Sequence, residues 1–391
     1  MTLLLAAILT FHHDVEPLLQ KKCQGCHRPG EIAPMPLLTY AQVRPWARAI
    51  REQVLLRKMP PWFADPSAGH FANNPSLSEP EIRVIDDWVK SGAPEGRRGD
   101  TPPPLHWTAG WNIPPPDQVV GMPKPFVAPA RQEVDYQFIV IPLGWPEDRW
   151  ITMAEVRPSE RGLVHHAVVY VRERGDPWPA DGTRVTRSDI LAVYTPGQGP
   201  MVCPPGMAKK IPAGADLVLQ MHYTPVGKPL ADQTRVGLVF SKEAPKKRVL
   251  TLQLATTDFR IPPGESNYRV AVAGTLPNDA LLLSFFPHLH LRGKAFEYEI
   301  DSGEGRIETL LRVKPYDFYW QLSYRLAAPR LLRKGVKLRA IAWYDNSPNN
   351  PRNPDPSAEV TYGEQSREEM MVGFFDVAVD AAIDKRAFFV R

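Results

Sequence analysis

Only three cysteines occur in 391 residues, too few to staple a domain with disulfides. No block of Lys or Arg stands out. The 47 basic and 43 acidic residues leave a net charge of +4, which argues against a chain that binds nucleic acid by neutralising phosphates. No apolar run approaches the ~20 residues that a membrane-spanning helix needs. The short run at residues 3–9 looks like the h-region of a secretion signal, but no Lys or Arg precedes it and no clear cleavage site follows. Residues 1–10 are therefore read as a possible truncated signal segment. Helical periodicity is also scarce, and none of any length follows residue 136.

What is present points to a β-rich chain with a small helical start. Prolines number 43, above the usual share of about 5%. Their spread through strand-like segments suits an all-β protein with many loops. The length allows two or three domains, each with a core of its own.

The first hundred residues carry helical signals. Asp14 is placed to cap a turn that contains Pro17, Leu18 and Leu19 and leads into Cys23. A second helix follows Thr39, with Val43, Trp46, Ala47, Ile50 and Val54 on one face and Pro45 in its first turn or at a kink. A third starts at Ser78-Glu79-Pro80-Glu81, a capping-box spacing, and buries Ile82, Ile85, Trp88 and Val89. Between them lies Cys23-Gln24-Gly25-Cys26-His27. Two thiols and an adjacent imidazole at this spacing attach a haem covalently and ligate its iron. A zinc site would need two further ligands of similar type, and a redox dithiol would need a βαβ context. Met59, in a loop stiffened by Pro60 and Pro61, is the favoured distal ligand, with His70 and Met35 as alternatives. Residues 11–97 thus resemble a small all-α cytochrome c domain of the Met-Pro-Pro-Trp type. Residues 98–130 read as a stiff, Pro-rich linker.

From residue 131 the chain reads as two all-β sandwiches, 131–245 and 246–391, with the seam at 242–248. Strand patterns fall at 164–171, 216–223, 235–240, 249–255, 280–291, 295–300 and 336–344. Four sets of potential ligands lie on these segments. His288 and His290 stand one residue apart and share a face if the strand continues through them. His165 and His166 are neighbours, which face opposite sides unless a bulge or strand end intervenes. His222 lies within an apolar strand, where a core histidine is the default. Met370 precedes an apolar run, where core is again the default.

The set says more than its members. His-His comes first, then Gln220-x-His222-Tyr223, then His-x-His, then Glu369-Met370. In order and type this resembles the copper type II ascorbate-dependent monooxygenases, a family that includes the peptidylglycine α-hydroxylating and dopamine β-monooxygenases. The resemblance implies two jelly-roll-like β-sandwiches with a solvent cleft between two copper ions. It places His165, His166 and His222 on the electron-supplying copper, and His288, His290 and Met370 on the copper that binds O2 and hydroxylates a C–H bond. It also implies a small-molecule substrate and an external electron donor, ascorbate or a redox protein, and a periplasmic or secreted location suits both metals.

The chain departs from the peptide hydroxylases at three positions. Phe286 stands two residues before the first histidine of His-x-His, where they use arginine. Val372 and Phe374 stand two and four places after the methionine, where they use polar residues. A carboxylate-bearing peptide loses its charge-assisted anchors here, so an apolar or aromatic pocket is expected. Cys203 reads as a buried free thiol, and the Asx-rich loop at 345–351 as a solvated turn. A haem–copper electron carrier without hydroxylase chemistry is the competing reading.

Overall fold

The computed structural model describes residues 8–107, 110–176, 189–301 and 306–388. Most of the signal-like run, residues 3–7, lies outside the described residues. Residues 1–62 and 74–107 make one compact unit, and residues 63–73 with 108–391 make a second.

The smaller unit is helical. Its first helix starts earlier than Asp14 suggests. Thr10 is the N-cap, its N–H donates to Asp14 Oδ2 at 2.7 Å, and a π-turn at Phe11–Val15 leads into Glu16–Lys22. Thr39 caps Tyr40–Val43, accepting from the Gln42 N–H. Pro45 then tightens Arg44–Trp46 into a 3₁₀ turn before Ala47–Leu55, because it lacks the N–H that a continuous helix requires. The capping box is present at Ser78 and Glu81 and opens Glu79–Lys90, which buries Ile82, Ile85 and Trp88. Phe11, Val15, Leu19, Val43 and Trp88 form the core of this unit.

Among the described residues the larger unit is β apart from a 3₁₀ turn at Lys385–Phe388, and a strand is found at each segment that the alternation marked. Asp216–Tyr223 and Arg235–Phe240 match residue for residue. One nine-stranded sheet runs through the whole unit. Half of it faces a four-stranded antiparallel sheet of Gln137–Pro142, Asp216–Tyr223, Val164–Arg172 and Asp189–Tyr194. Ile151, Val156, Val236 and Leu238 of the long sheet meet Val164, Val169, Leu217 and Leu219 in the core between them. The other half faces a second four-stranded sheet containing Tyr268–Thr275, Lys337–Tyr344 and Gly293–Asp301. There Phe285 packs on Tyr298 at 4.5 Å between ring centroids. Two sandwiches are therefore present, but they share a sheet. The halves join through a parallel pair, Lys247 opposite Met207 and Arg248 opposite Ala208.

Two boundaries differ from the sequence reading. Residues 63–73 do not belong with the helices. Ala64 bridges Val313, the Asp65 N–H donates to the Arg312 carbonyl, and Phe71 bridges Leu326, so this segment lies along strands of the larger unit. The linker also ends sooner than residue 130. Gln118–Gly121 pairs with Arg235–Phe240, and Phe126–Ala128 pairs with Leu230–Asp232. Both are short strands of the kind that Pro-rich sequence disguises. Gly237 is required at this edge, since a Cβ there would come within 2.8 Å of Trp111 and Pro116.

Candidate metal centre

The three histidine sets come together in the larger unit. Val164–Arg172 and Asp216–Tyr223 are paired, with His166 directly opposite His222. The register slips between Val164 and His166, so a bulge lets two adjacent histidines serve one site. His165, His166 and His222 each offer a ring nitrogen within 4.8 Å of the others. His165 Nδ1 and His166 Nδ1 lie 3.1 Å apart. Phe318 stacks on His165 at 4.6 Å, and Tyr136 packs against His222 at 4.9 Å.

Ala280–His288 ends at its first histidine, so His290 lies in the turn beyond rather than on the strand. The rings still converge, 5.3 Å apart and nearly perpendicular. Backbone contacts replace the missing strand geometry. The Tyr316 hydroxyl accepts from the Leu289 N–H at 3.0 Å and donates to the Leu289 carbonyl at 2.9 Å, fixing the residue between the two histidines. The buried Glu369 carboxylate accepts from the N–H of His290 at 2.9 Å and of Arg292 at 2.7 Å. This holds the chain leading to Met370 against the His-x-His turn. Burial pushes the Glu369 carboxyl up to about 8, against the pull of those two N–H donors.

Each imidazole of this pair has one nitrogen committed and the other available. His288 Nδ1 pairs with Gln321 Oε1 at 2.7 Å, and His290 Nδ1 with the Glu368 carbonyl at 3.2 Å. Both rings therefore carry the proton on Nδ1 and present Nε2 as a lone pair, the arrangement of a ligating histidine. His290 Nε2, His165 Nε2 and His222 Nδ1 are buried without a hydrogen-bond partner. Such a nitrogen costs about 1–3 kcal/mol when unsatisfied, and three in one place suit a cation that accepts lone pairs.

One expectation fails. The resemblance implies a solvent cleft between the two ligand sets, but the rings of His166 and His288 are only 5.9 Å apart. Phe318 spans both sets, on His165 and 6.4 Å from His290. The five histidines form one cluster because the shared sheet draws the two halves together. The 345–351 loop is not a solvated turn either. Asn346 is fully buried, donates to the carbonyls of Pro262 and Ala358, and accepts from Arg292 Nε at 2.8 Å. Sequence reasoning passed over Tyr316, Phe318 and Gln321. Their signal was an aromatic run, residues 316–320, in a stretch otherwise rich in turns.

Comparison with known proteins adds little. No family model matches the chain, and no curated protein does. Among solved structures, the major capsid protein P2 from Bacteriophage PM2 aligns over 68% of this chain and 98% of its own at 9% identity, with a TM-score of 0.29. N-glycanase F aligns over 68% and 97% at 8% identity, with a TM-score of 0.32. Likeness this slight carries no argument about function.

In the smaller unit, His27 Nδ1 pairs with the Met35 carbonyl at 3.2 Å, which places the proton on Nδ1 and leaves Nε2 with its lone pair. Burial lowers the His27 pKa, so the ring is neutral, as ligation requires. Burial pushes the Cys23 thiol up to about 12. Met59 follows the Ala47–Leu55 helix, with its N–H on the Gln53 carbonyl. Among the alternatives, His70 lies in the 63–73 segment of the larger unit. Cys203, also in the larger unit, is pushed up to about 12 by burial, as a free thiol in apolar surroundings should be.

Burial also holds the clustered imidazoles neutral. It lowers His165 and His288 from 6.5 to about 4 and His222 to about 3. The unfolded chain takes up these protons near 6.5 and the folded chain does not, so stability present above 6.5 is lost as pH falls toward 4. One imidazole moved from 6.5 to about 4 is worth about 3 kcal/mol. Thermal melts of the metal-free protein should therefore drop steeply between pH 7 and 4. A melting temperature unchanged across that window would mean that the rings are solvated and protonate in place.

Proposed function

We propose that the chain is a copper-dependent monooxygenase that carries a c-type haem as its one-electron entry point. The observation that carries this is the convergence of His165, His166, His222, His288 and His290, with three buried nitrogens lacking any protein partner. The order of these residues along the chain, with Glu369-Met370 closing the set, supports copper over other metals that accept imidazole.

The protein's part is to hold and orient. His165, His166 and His222 would take one copper ion, and His288, His290 and Met370 a second. Bound copper would supply one-electron chemistry toward O2, and Cys23, Cys26 and His27 would hold a haem able to pass electrons singly. Gln321 and the Glu368 carbonyl keep the protons on Nδ1 of His288 and His290, which fixes both rings in the ligating tautomer. Phe318 and Tyr136 cover the rings and keep water from the His-His side. In the helical unit, Met35 packs into the core and gives its carbonyl to His27, so its role is to orient that ring, and Met59 would be the second ligand to a bound haem. Overall, a C–H bond of the substrate becomes C–OH and the second oxygen atom leaves as water. Two electrons and two protons enter per turnover from ascorbate or a redox protein, in the periplasm or outside the cell.

The expected result is two copper ions and one covalent haem per chain, with oxygen from labelled O2 appearing in an organic product. Metals that cycle with a reductant while no oxygen is consumed would replace this reading with that of an electron carrier.

A further inference from the structure

The larger unit contains a cavity of about 710 Å³, within the range of small-molecule sites. It lies between the outer face of the His165–His166 sheet and the second half of the long sheet. Val168, Ile190 and Val193 form one wall, and Leu283, Phe286 and Phe374 the other. At one end the walls turn polar. Asp376 accepts from the Thr251 hydroxyl at 2.6 Å and from the Ser284 hydroxyl at 2.8 Å. Lys209, buried beside them, donates to the Ile190 carbonyl at 2.7 Å and to Thr251 Oγ1 at 2.8 Å, with Asp376 Oδ1 3.6 Å away.

The strand register sets this group at a fixed distance from the histidines. Ser284 pairs with Asp376, Phe286 with Phe374, and His288 with Val372. Alternate residues share a face, so Ser284, Phe286 and His288 form one row over four residues, about 13 Å at ~3.3 Å per residue. On the opposite wall Val168 stands two residues from His166, on the same face of its strand. Both strands therefore run on from the cavity toward the histidine cluster, which lies beyond the residues that line it.

We propose that this cavity binds an elongated, uncharged amphiphile, a hydrocarbon bearing a hydroxyl group. Its hydroxyl lies on Asp376 and Ser284, its hydrocarbon body lies over Phe286 and Phe374, and its far end points along the strand toward His288. At the polar end Lys209 and Asp376 balance each other, and Arg325, the other charged lining residue, is exposed to solvent, so a charged head there would add an uncompensated ion to a half-buried site. Asp376 keeps 29% side-chain exposure and has spare lone pairs for a further hydroxyl. The walls are apolar, as Phe286 and Phe374 imply. The chemistry at the far end rests on the proposed function; the binding does not.

Calorimetric titration of the full chain, free of copper, with primary alcohols from butan-1-ol to dodecan-1-ol tests this. Affinity should rise about fourfold per methylene until the chain spans the cavity and then level off. Asp376→Asn should weaken octan-1-ol binding at least tenfold. Ser284→Ala, a smaller change that keeps Lys209 paired, should weaken it severalfold at an unchanged melting temperature. Tighter binding of octylamine or octanoate than of octan-1-ol would overturn the proposal, as would alcohol affinity that ignores both chain length and the two substitutions. Copper uptake measured on the same samples separates the two claims: alcohol binding without copper uptake would sink the monooxygenase and leave the pocket standing.

Discussion

His290→Ala is expected to lower hydroxylation at least ~100-fold while the haem spectrum stays unchanged. Loss of residues that merely orient metal ligands typically costs 10–100-fold, and loss of a ligand costs more. His290 is fully buried against His288 and Phe318, and its Nε2 has no hydrogen-bond partner, a cost that packing alone does not explain. Its Nδ1 faces the Glu368 carbonyl at 3.2 Å, and the Gln365 backbone lies within hydrogen-bonding reach of the same ring. Removing the ring gives up this hydrogen bonding, worth about 1 kcal/mol per bond, and leaves a small cavity, but it also removes an unsatisfied nitrogen. The metal-free protein should therefore melt within a few degrees of the parent, and copper content should fall by one ion. A variant that keeps both copper ions and full turnover would show that this nitrogen holds no metal.

The strands that were legible in the larger unit were those that alternate. Period-2 patterning at 216–223 and 235–240 gives the same bounds as the hydrogen bonds, and the bulge that His165-His166 demands is found there. The capping box at Ser78 was equally plain. What was illegible depends on pairing between distant residues. The parallel contact of Lys247 with Met207 merges two sandwiches into one sheet, and no local pattern announces it. That contact is why the histidine sets touch rather than facing each other across a cleft. The 63–73 segment was misassigned for a similar reason. Its bridges to Val313 and Leu326 span more than 200 residues, and its own sequence has no period. The orienting groups Tyr316 and Gln321 were missed because they act through backbone contacts and a ring nitrogen, which no spacing rule encodes.

Cys26→Ala is expected to abolish turnover driven by a redox protein or an electrode, while turnover driven by ascorbate persists. The substitution removes one of two thioether links, so covalent haem on a denaturing gel should drop sharply and the alkaline pyridine spectrum should shift to that of a singly attached haem. His27 stays in place, with Nδ1 on the Met35 carbonyl, so any haem that remains keeps its proximal ligand. The separation of donors gives the test its force. A small reductant can reach copper directly, whereas a protein donor has only the haem unit to offer electrons to if the fusion serves electron entry. The fold of the helical unit rests on Phe11, Val15, Leu19 and Trp88 rather than on Cys26, so its melting should change little in the absence of haem. Equal rates with a protein donor before and after the substitution would take the haem out of the electron path. Loss of ascorbate-driven turnover as well would mean that the haem unit supports the copper centre itself rather than feeding it.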